Sequence, residues 1–404
     1  MMKVLLILPR FDRQKWDSLT DQAWHTAKLM AADGQAQCFI AAGRTESEKA
    51  MEVVCNVPIH RFMPEQPRWK FLRRFHKVDL LSGNSELPGL ELFLRKNQFD
   101  LVHIFCKGHL CEWVSQLLTE LKTPYVVSCR SEDFRISDAA SGKRDDSHGM
   151  FRKVFREYGS ALSHAQRVFC GDHALRRLLA VELGDRPLVY WLPGVDLERF
   201  SKPSAVDFRQ FYQIPSSRKI ILSVGNISES KNQQLLLETV SVLNNRNRNC
   251  QLVLIGWCDS EEFMIKLRIL IEERNLKDAI TLIPGLPPGD ECFRAAFQAA
   301  SLLLLPSRYD VSASAVLEAW ASGVPVIASP IGGGGDLIED NCNGKLANPR
   351  NFQDFVRSCE FLLDERNRRE LEKMRSDGMV RARSLRWERR LEDLMEIYKQ
   401  ILDK

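Results

Sequence analysis

Leu302–Leu305 is a run of four leucines closed by Pro306. A strand that is apolar on both faces must be covered on both faces, and a parallel sheet sandwiched between helices provides that cover. The residues that follow repeat the signal. Ala313–Trp320 is rich in helix formers and is stopped by Gly323 and Pro325. Val324–Ala328 is a second apolar run, and Ile331 leads into four glycines, Gly332–Gly335, with a short helix expected from Asp336. Strand, loop and helix thus occur twice. A carboxylate, Asp310, stands at the first mouth and glycines stand at the second. In an open parallel sheet both mouths lie at the carboxyl ends of the strands, where ligands bind.

The same alternation runs through the chain. Lys3–Leu8, Gln37–Ala41, Val57–Phe62, Leu101–Phe105, Tyr125–Ser128, Val168–Cys170 and Leu188–Trp191 predict one series of strands, with a helix over Leu19–Ala32 completing a first βαβ unit. The pattern breaks at Leu192–Asp196, and Pro203 and Pro215 extend the break. A second series follows at Lys219–Val224, Gln251–Ile255, Ala279–Ile283, Leu302–Leu305 and Val324–Ala328, with helices over Asn232–Leu243, Glu261–Arg274 and Glu291–Ala300. A chain of 404 residues with one such break predicts two domains, residues 1–195 and 196–385. Residues 386–404 form a last helix, with Trp387, Leu391, Leu394, Ile397, Tyr398 and Ile401 on one face. A net charge of +4 gives no argument for nucleic acid, and no run of apolar residues is long enough to span a bilayer. Eleven scattered cysteines without a C-x-x-C pair, behind an N-terminus that reads as a strand and not a leader, predict reduced thiols and a cytoplasmic protein.

Several stretches carry chemistry. Gly225 permits a sharp turn after a strand, and Lys231 enters the next helix near its N-terminus, where it suits a phosphate or is simply solvated. Gly332–Gly335 reads as bare backbone open to an anion, or as a flexible loop. Glu318 sits in the apolar run A-V-L-E-A-W-A, so it finds a hydroxyl or cation partner or faces water. His103, Cys106, His109 and Cys111 straddle a strand end and a helix start, a spacing poorly suited to closing a tetrahedral site, so no metal is expected. Arg68–Lys77 reads R-W-K-F-L-R-R-F-H-K. As a helix it is basic and amphipathic, and it suits either an anionic membrane surface or a docked surface position.

Asp310 and Glu318 are eight residues apart, preceded by P-S-R-Y and followed by A-S-G-V-P-V-I-A-S and the glycine turn. This pattern resembles the donor-binding motif of retaining glycosyltransferases of the GT-B fold, and more narrowly glycosyltransferase family 4. Val224-Gly225 through Lys231, Asn343-Gly344, Ala165–Val168, Leu192–Phe200 and Trp387-Glu388 resemble further segments of that family. The resemblance implies two Rossmann-like doubly wound α/β domains facing across a cleft, with the last helix crossing back to the first domain. It implies that Asp310 and Glu318 are the catalytic acids, Glu318 holding the ribose and Asp310 the sugar hydroxyls. Lys231, Gly225, Asn226, Ser312, Gly332, Gly333 and Gly334 would bind the donor, a nucleotide-diphosphate sugar, with no metal or other cofactor. The first domain would take a glycan or lipid-linked acceptor, as in polysaccharide or lipopolysaccharide biosynthesis, at the inner face of a membrane. Arg130, Asp133, His109 and Lys107 are its candidate residues.

The chain departs from the family pattern in places. Asp310 replaces the usual Glu, Val311-Ser312-Ala313 replaces G-F-G, Asn226 replaces an Arg, and Pro9–Arg13 lacks the usual paired glycines. An alternative reading is therefore a non-catalytic GT-B subunit that binds glycan or stabilises an active paralogue.

Overall fold

The computed structural model describes the whole chain except residues 13–17, 46–47, 66–84, 106–107, 135–146, 259, 288 and 404. Two compact units emerge. One gathers the described residues up to Trp191 together with the C-terminal residues from Trp387, and the other holds Leu192–Arg386.

The first unit runs β1 (Met2–Arg10), α1 (Ser18–Asp33), β2 (Ala36–Gly43), β3 (Met51–Val54), β4 (Val57–Phe62), α2 (Pro88–Lys96), β5 (Leu101–Ile104), α3 (Gly108–Glu120), β6 (Tyr125–Cys129), α4 (Ser147–His164), β7 (Arg167–Cys170), α5 (His173–Leu183) and β8 (Leu188–Tyr190). Its sheet has the order β3-β4-β2-β1-β5-β6-β7-β8. Only β3 runs antiparallel to its neighbour. Strand β3 was not expected from the sequence. It joins β4 through Cys55 and Asn56, whose φ values of 49° and 62° are those of a primed hairpin turn. The usual marker of that turn, a glycine, is absent.

The second unit runs α6 (Leu197–Ser201), α7 (Phe208–Phe211), β9 (Lys219–Val224), α8 (Gln233–Asn245), β10 (Cys250–Gly256), α9 (Glu261–Glu273), β11 (Ile280–Pro284), α10 (Glu291–Ala299), β12 (Leu302–Leu305), α11 (Ala313–Ala321), β13 (Val326–Ala328), α12 (Gly332–Leu337), β14 (Lys345–Leu346), α13 (Phe352–Leu363) and α14 (Arg368–Ser384). The order β11-β10-β9-β12-β13-β14 is parallel throughout. All four leucines of β12 are buried, as a strand covered on both faces requires. From β9 the chain moves outward on one side to β10 and β11, then returns to lay β12 on the other side. The strand order therefore switches between β9 and β12.

Helix α15 (Trp387–Leu402) belongs to the first unit. Leu394, Met395, Tyr398 and Ile401 enter the same apolar cluster as Val4, Leu6, Ala23 and Ala27. Burying side chains of this size is worth about 1.5–3 kcal/mol each, enough to hold the helix in place. Trp387 stacks on His25, with ring centroids 5.0 Å apart. The Tyr398 hydroxyl is hydrogen-bonded to His103 Nδ1 at 2.5 Å, and His103 Nε2 to the Ser128 hydroxyl at 2.8 Å. Burial pushes the His103 imidazole down to about 3, so it is neutral at physiological pH. His103 is a satisfied core group. No helix among the described residues is long and apolar enough to cross a membrane.

Candidate active site at the switch point of the second sheet

The carboxyl ends of β9 and β12 lie side by side, and the segments leaving them diverge. Such a switch point leaves a crevice at the sheet edge. The segment after β9 is shaped first by Gly225, whose φ of 139° suits glycine. Gly225 N–H donates to the Ile255 carbonyl at 3.0 Å, and Ile227 N–H donates to the Trp257 carbonyl at 2.7 Å. The approach to β10 is so close that a Cβ on Gly256 would lie 1.8 Å from the Gly225 carbonyl oxygen.

A single 3₁₀ turn, Glu229–Lys231, leads to Asn232, which has a φ of 59° and is 4% exposed. The Asn232 amide donates to the carbonyls of Pro306 at 3.2 Å and Pro349 at 2.9 Å. The Gln233 amide donates to the Asn226 carbonyl at 2.9 Å and accepts from Ser228 N–H at 3.2 Å. Arg308 N–H donates to the Ser230 carbonyl at 2.8 Å. These bonds sew the segment after β9 to the segment after β12. They carry Lys231 to Asp310, whose main-chain carbonyl accepts from Nζ at 2.8 Å.

The sequence reading had not picked out Asn232, Gln233 or Gly256. An asparagine directly before a helical run was the only visible hint, since Asn tolerates the left-handed conformation.

Asp310 itself is buried, and the four glycines explain how. They are buried and form the start of α12, which begins at Gly332. The expectation of an open glycine loop before a helix at Asp336 is corrected on this point. The physical reason is contact distance. A Cβ on Gly332 would lie 2.0 Å from Asp310 Oδ1, and one on Gly334 would lie 2.5 Å from Val311 Cγ1. A Cβ on Gly335 would lie 2.7 Å from the Pro330 carbonyl carbon. Val311 N–H donates to the Ile331 carbonyl at 3.1 Å, and Gly334 N–H donates to the Val311 carbonyl at 2.9 Å. Glycine is used here so that one backbone can lie directly on another. Gly333, like its neighbours, is buried.

Ser312 caps α11, its hydroxyl accepting from Ala315 N–H at 3.4 Å. Every other residue of α11 is buried, and Glu318 alone is partly exposed. The Trp320 indole N–H donates to the Asn343 carbonyl at 3.0 Å, and the Asn343 side chain accepts from Glu339 N–H at 2.9 Å. Asn343 therefore anchors the turn that follows α12.

In the first unit Arg130 and Asp133 come together after β6. Arg130 N–H donates to Asp133 Oδ2 at 2.8 Å, and the guanidinium reaches Asp133 Oδ1 at 3.5 Å and the Ser18 hydroxyl at 2.6 Å. His109 is separate. It sits on α3, is 54% exposed at its side chain, and is hydrogen-bonded to Glu86 at 2.9 Å. Lys107, Cys106 and the Arg68–Lys77 stretch lie outside the described residues. Among the described residues no group of three or more His, Cys, Asp or Glu side chains could hold a metal ion.

Known proteins resemble this chain in sequence and in fold. Residues 206–378 match the family model described as glycosyl transferases group 1. A D-inositol 3-phosphate glycosyltransferase of Nocardia farcinica is 28% identical over 62% of this chain and 56% of its own length. The chain thus spans little more than half of that relative. A GDP-mannose-dependent alpha-mannosyltransferase of Corynebacterium glutamicum is 25% identical over 96% of this chain and 86% of its own. The solved sucrose-phosphate synthase of Thermosynechococcus elongatus superposes over 100% of both chains with a TM-score of 0.77 at 17% identity. With its two Rossmann-like units, the chain has the GT-B fold, and its residues 206–378 are similar to the glycosyl transferases group 1.

Proposed function

We propose that the protein transfers a hexosyl unit from a nucleotide-diphosphate sugar to a glycan or lipid-linked saccharide, retaining the anomeric configuration. The observation that carries this reading is the Lys231 ammonium, hydrogen-bonded to the Asp310 carbonyl at the switch point of the second sheet. A glycosyl unit leaves its nucleoside diphosphate through an oxocarbenium-like state, so negative charge grows on the departing phosphates. Lys231 supplies the compensating charge, and Gly225 and Asn226 shape the turn beside it. Glu318 holds the ribose hydroxyls from the partly exposed position on α11. The buried Asp310 and the capping Ser312 line the sugar's place, fixed from behind by Gly332–Gly334. Positioning of this kind lowers the barrier without a resident metal. Arg130 and Asp133 contribute to acceptor binding in the first unit, and the protein works at a cytoplasmic membrane surface.

The test is calorimetric titration with UDP, GDP, ADP and their sugar conjugates, followed by product analysis. Binding of one nucleotide diphosphate, and a product of unchanged anomeric configuration, are the expected results. If no nucleotide binds, the enzyme reading falls in favour of a non-catalytic subunit. If a product of inverted configuration forms, the retaining reading falls.

A further inference from the structure

We infer that a polar cavity at the amino edge of the second sheet is a holding site for a neutral oligosaccharide. The cavity has a volume of about 790 Å³, within the range of ligand sites. Arg218, Asn249 and Ala279 line it, and each directly precedes a strand: β9, β10 and β11. The amino ends of three adjacent strands therefore form its floor. Its walls come from the carboxyl ends of two helices, through Ser241, Asn244 and Asn245 on α8 and through Arg274 and Asn275 just past α9. Lys231 and Asp310 lie at the opposite edge of the sheet. Strand β9 has 6 residues, so the two edges are about 20 Å apart. The cavity is separate from the proposed donor site.

The lining is rich in amides, and some of them are committed to the fold. The Asn244 side chain accepts from Cys250 N–H at 2.6 Å and donates to the Cys250 carbonyl at 3.1 Å. The Asn249 amide donates to the Ser217 carbonyl at 3.0 Å. The side chains of Ser241, Asn245, Asn247 and Asn275 have no hydrogen-bond partner among the described residues. Asn247, Asn249 and Asn275 have φ values of 58°, 47° and 54°. Asparagine tolerates that left-handed conformation, which accounts for the residue type at those three positions. It does not account for Ser241 and Asn245, which are four residues apart in α8 and so share a face. Alanine would serve the helix better at both.

The chemistry of the lining selects the ligand. An amide both donates and accepts, as a sugar hydroxyl does, so neighbouring amides match a run of hydroxyls. Of the lining residues only Leu276 and Ala279 are apolar, which leaves little surface for a lipid or a stacked base. Charge disfavours an anion. Arg274 is paired with Glu238 at 3.2 Å, and Arg218 Nη1 donates to the Gln251 side-chain carbonyl at 2.8 Å and to the Asp278 main-chain carbonyl. The carbonyl ends of α8 and α9 bring the negative ends of two helix dipoles, and Asp278 brings a carboxylate. A neutral, polyhydroxylated ligand is what this surface suits. On the glycosyl-transfer reading above, that ligand is the acceptor glycan, gripped a second time away from its reacting end. Two grips on one glycan raise its affinity through effective concentration.

The experiment titrates the full-length protein by calorimetry with maltohexaose, mannohexaose and cellohexaose, and separately with UDP, GDP and ADP. One of the oligosaccharides should bind. The double variant Asn245→Ala with Asn275→Gly removes two amides, and its new residues suit the helix and the left-handed turn. It should bind that oligosaccharide roughly tenfold more weakly or worse, the range expected for two lost hydrogen-bonding groups. Its affinity for a nucleotide diphosphate should not change. In the unaltered protein the side-chain amide NMR signals of Asn245 and Asn275 should move on adding the oligosaccharide, a readout that needs no variant to fold. If none of the three oligosaccharides binds, or if the double variant binds as well as the unaltered protein, this inference is overturned. The donor reading then still stands wherever a nucleotide diphosphate binds. Oligosaccharide binding that the variant weakens, with no nucleotide bound, would overturn the donor reading and leave the holding site in place.

Discussion

Gly332→Ala tests whether the glycines at the switch point are there for packing. Its φ of +72° is unfavourable for alanine, which costs about 1–2 kcal/mol. The added methyl would lie 2.0 Å from Asp310 Oδ1, 2.9 Å from Val311 N and 3.0 Å from Asp310 Cα. Two of these three atoms are backbone and cannot rotate away, so overpacking adds about 1–3 kcal/mol. The sum is about 2–5 kcal/mol. For a unit of this size each kcal/mol lowers the melting temperature by about 2–4 °C, so a fall of roughly 4–20 °C is expected.

Gly323→Ala provides the internal comparison. Its φ of +71° is equally unsuited to alanine, but only the Met379 sulfur, at 4.0 Å, lies near the new Cβ. It should lose only the backbone part. Differential scanning calorimetry of the two variants therefore separates strain from contact. Nucleotide-diphosphate affinity, measured on the same samples, should fall further in Gly332→Ala, because relief of the clash displaces Asp310. Equal melting temperatures for the two variants, or a Gly332→Ala protein as stable as the unaltered chain, would refute the packing argument.

Three further outcomes are expected. Asn232→Ala removes both donations from the amide and places alanine at a φ of 59°, so it should destabilise by about 2–4 kcal/mol in urea unfolding, while Asn232→Gly should recover the backbone part. Glu318→Gln should weaken nucleotide-diphosphate binding without shifting the melting temperature, since Glu318 is the partly exposed residue of α11; an unchanged dissociation constant moves it to the scaffold. His103 is held neutral by burial down to about 3, so between its usual value of 6.5 and 3 the unfolded chain takes up a proton that the native protein refuses. Stability should therefore fall with acidification across that window by up to about 1.4 kcal/mol per pH unit, and His103→Gln should flatten that slope in pH-dependent unfolding.

Strands buried on both faces were the most legible part of the fold. Leu302–Leu305 and Lys3–Leu8 admit few alternatives, and they appear as β12 and within β1. Strands β3 and β14 were not foreseen. Strand β3 alternates exposed and half-buried residues at a sheet edge, and β14 is only two residues long, so neither leaves an apolar run. At the site, Lys231 and Asp310 were named separately, but nothing in their spacing showed that one side chain reaches the other's backbone. That contact depends on Asn232 and Gln233, which work through side-chain bonds to carbonyls distant in sequence. Such bonds leave no periodicity to read. The glycines were read for chemistry when their burial is first a matter of shape.

The altered residues after Asp310 take on a different meaning once those glycines are placed. Val311 is buried, and its Cγ1 occupies the space that a Cβ on Gly334 would need. Bulk on one segment is thus matched by its absence on the other. Ser312 retains a backbone-directed role by capping α11, so the helix start does not depend on a glycine there. The backbone between Asp310 and Ala313 is therefore held by contacts to α12 and by a cap. A segment held this way approaches a ligand through fixed main-chain groups and not through flexibility. Electrostatic stabilisation is most effective when the groups supplying it need not reorganise as charge develops. The departures after Asp310 therefore do not argue against the proposed donor site.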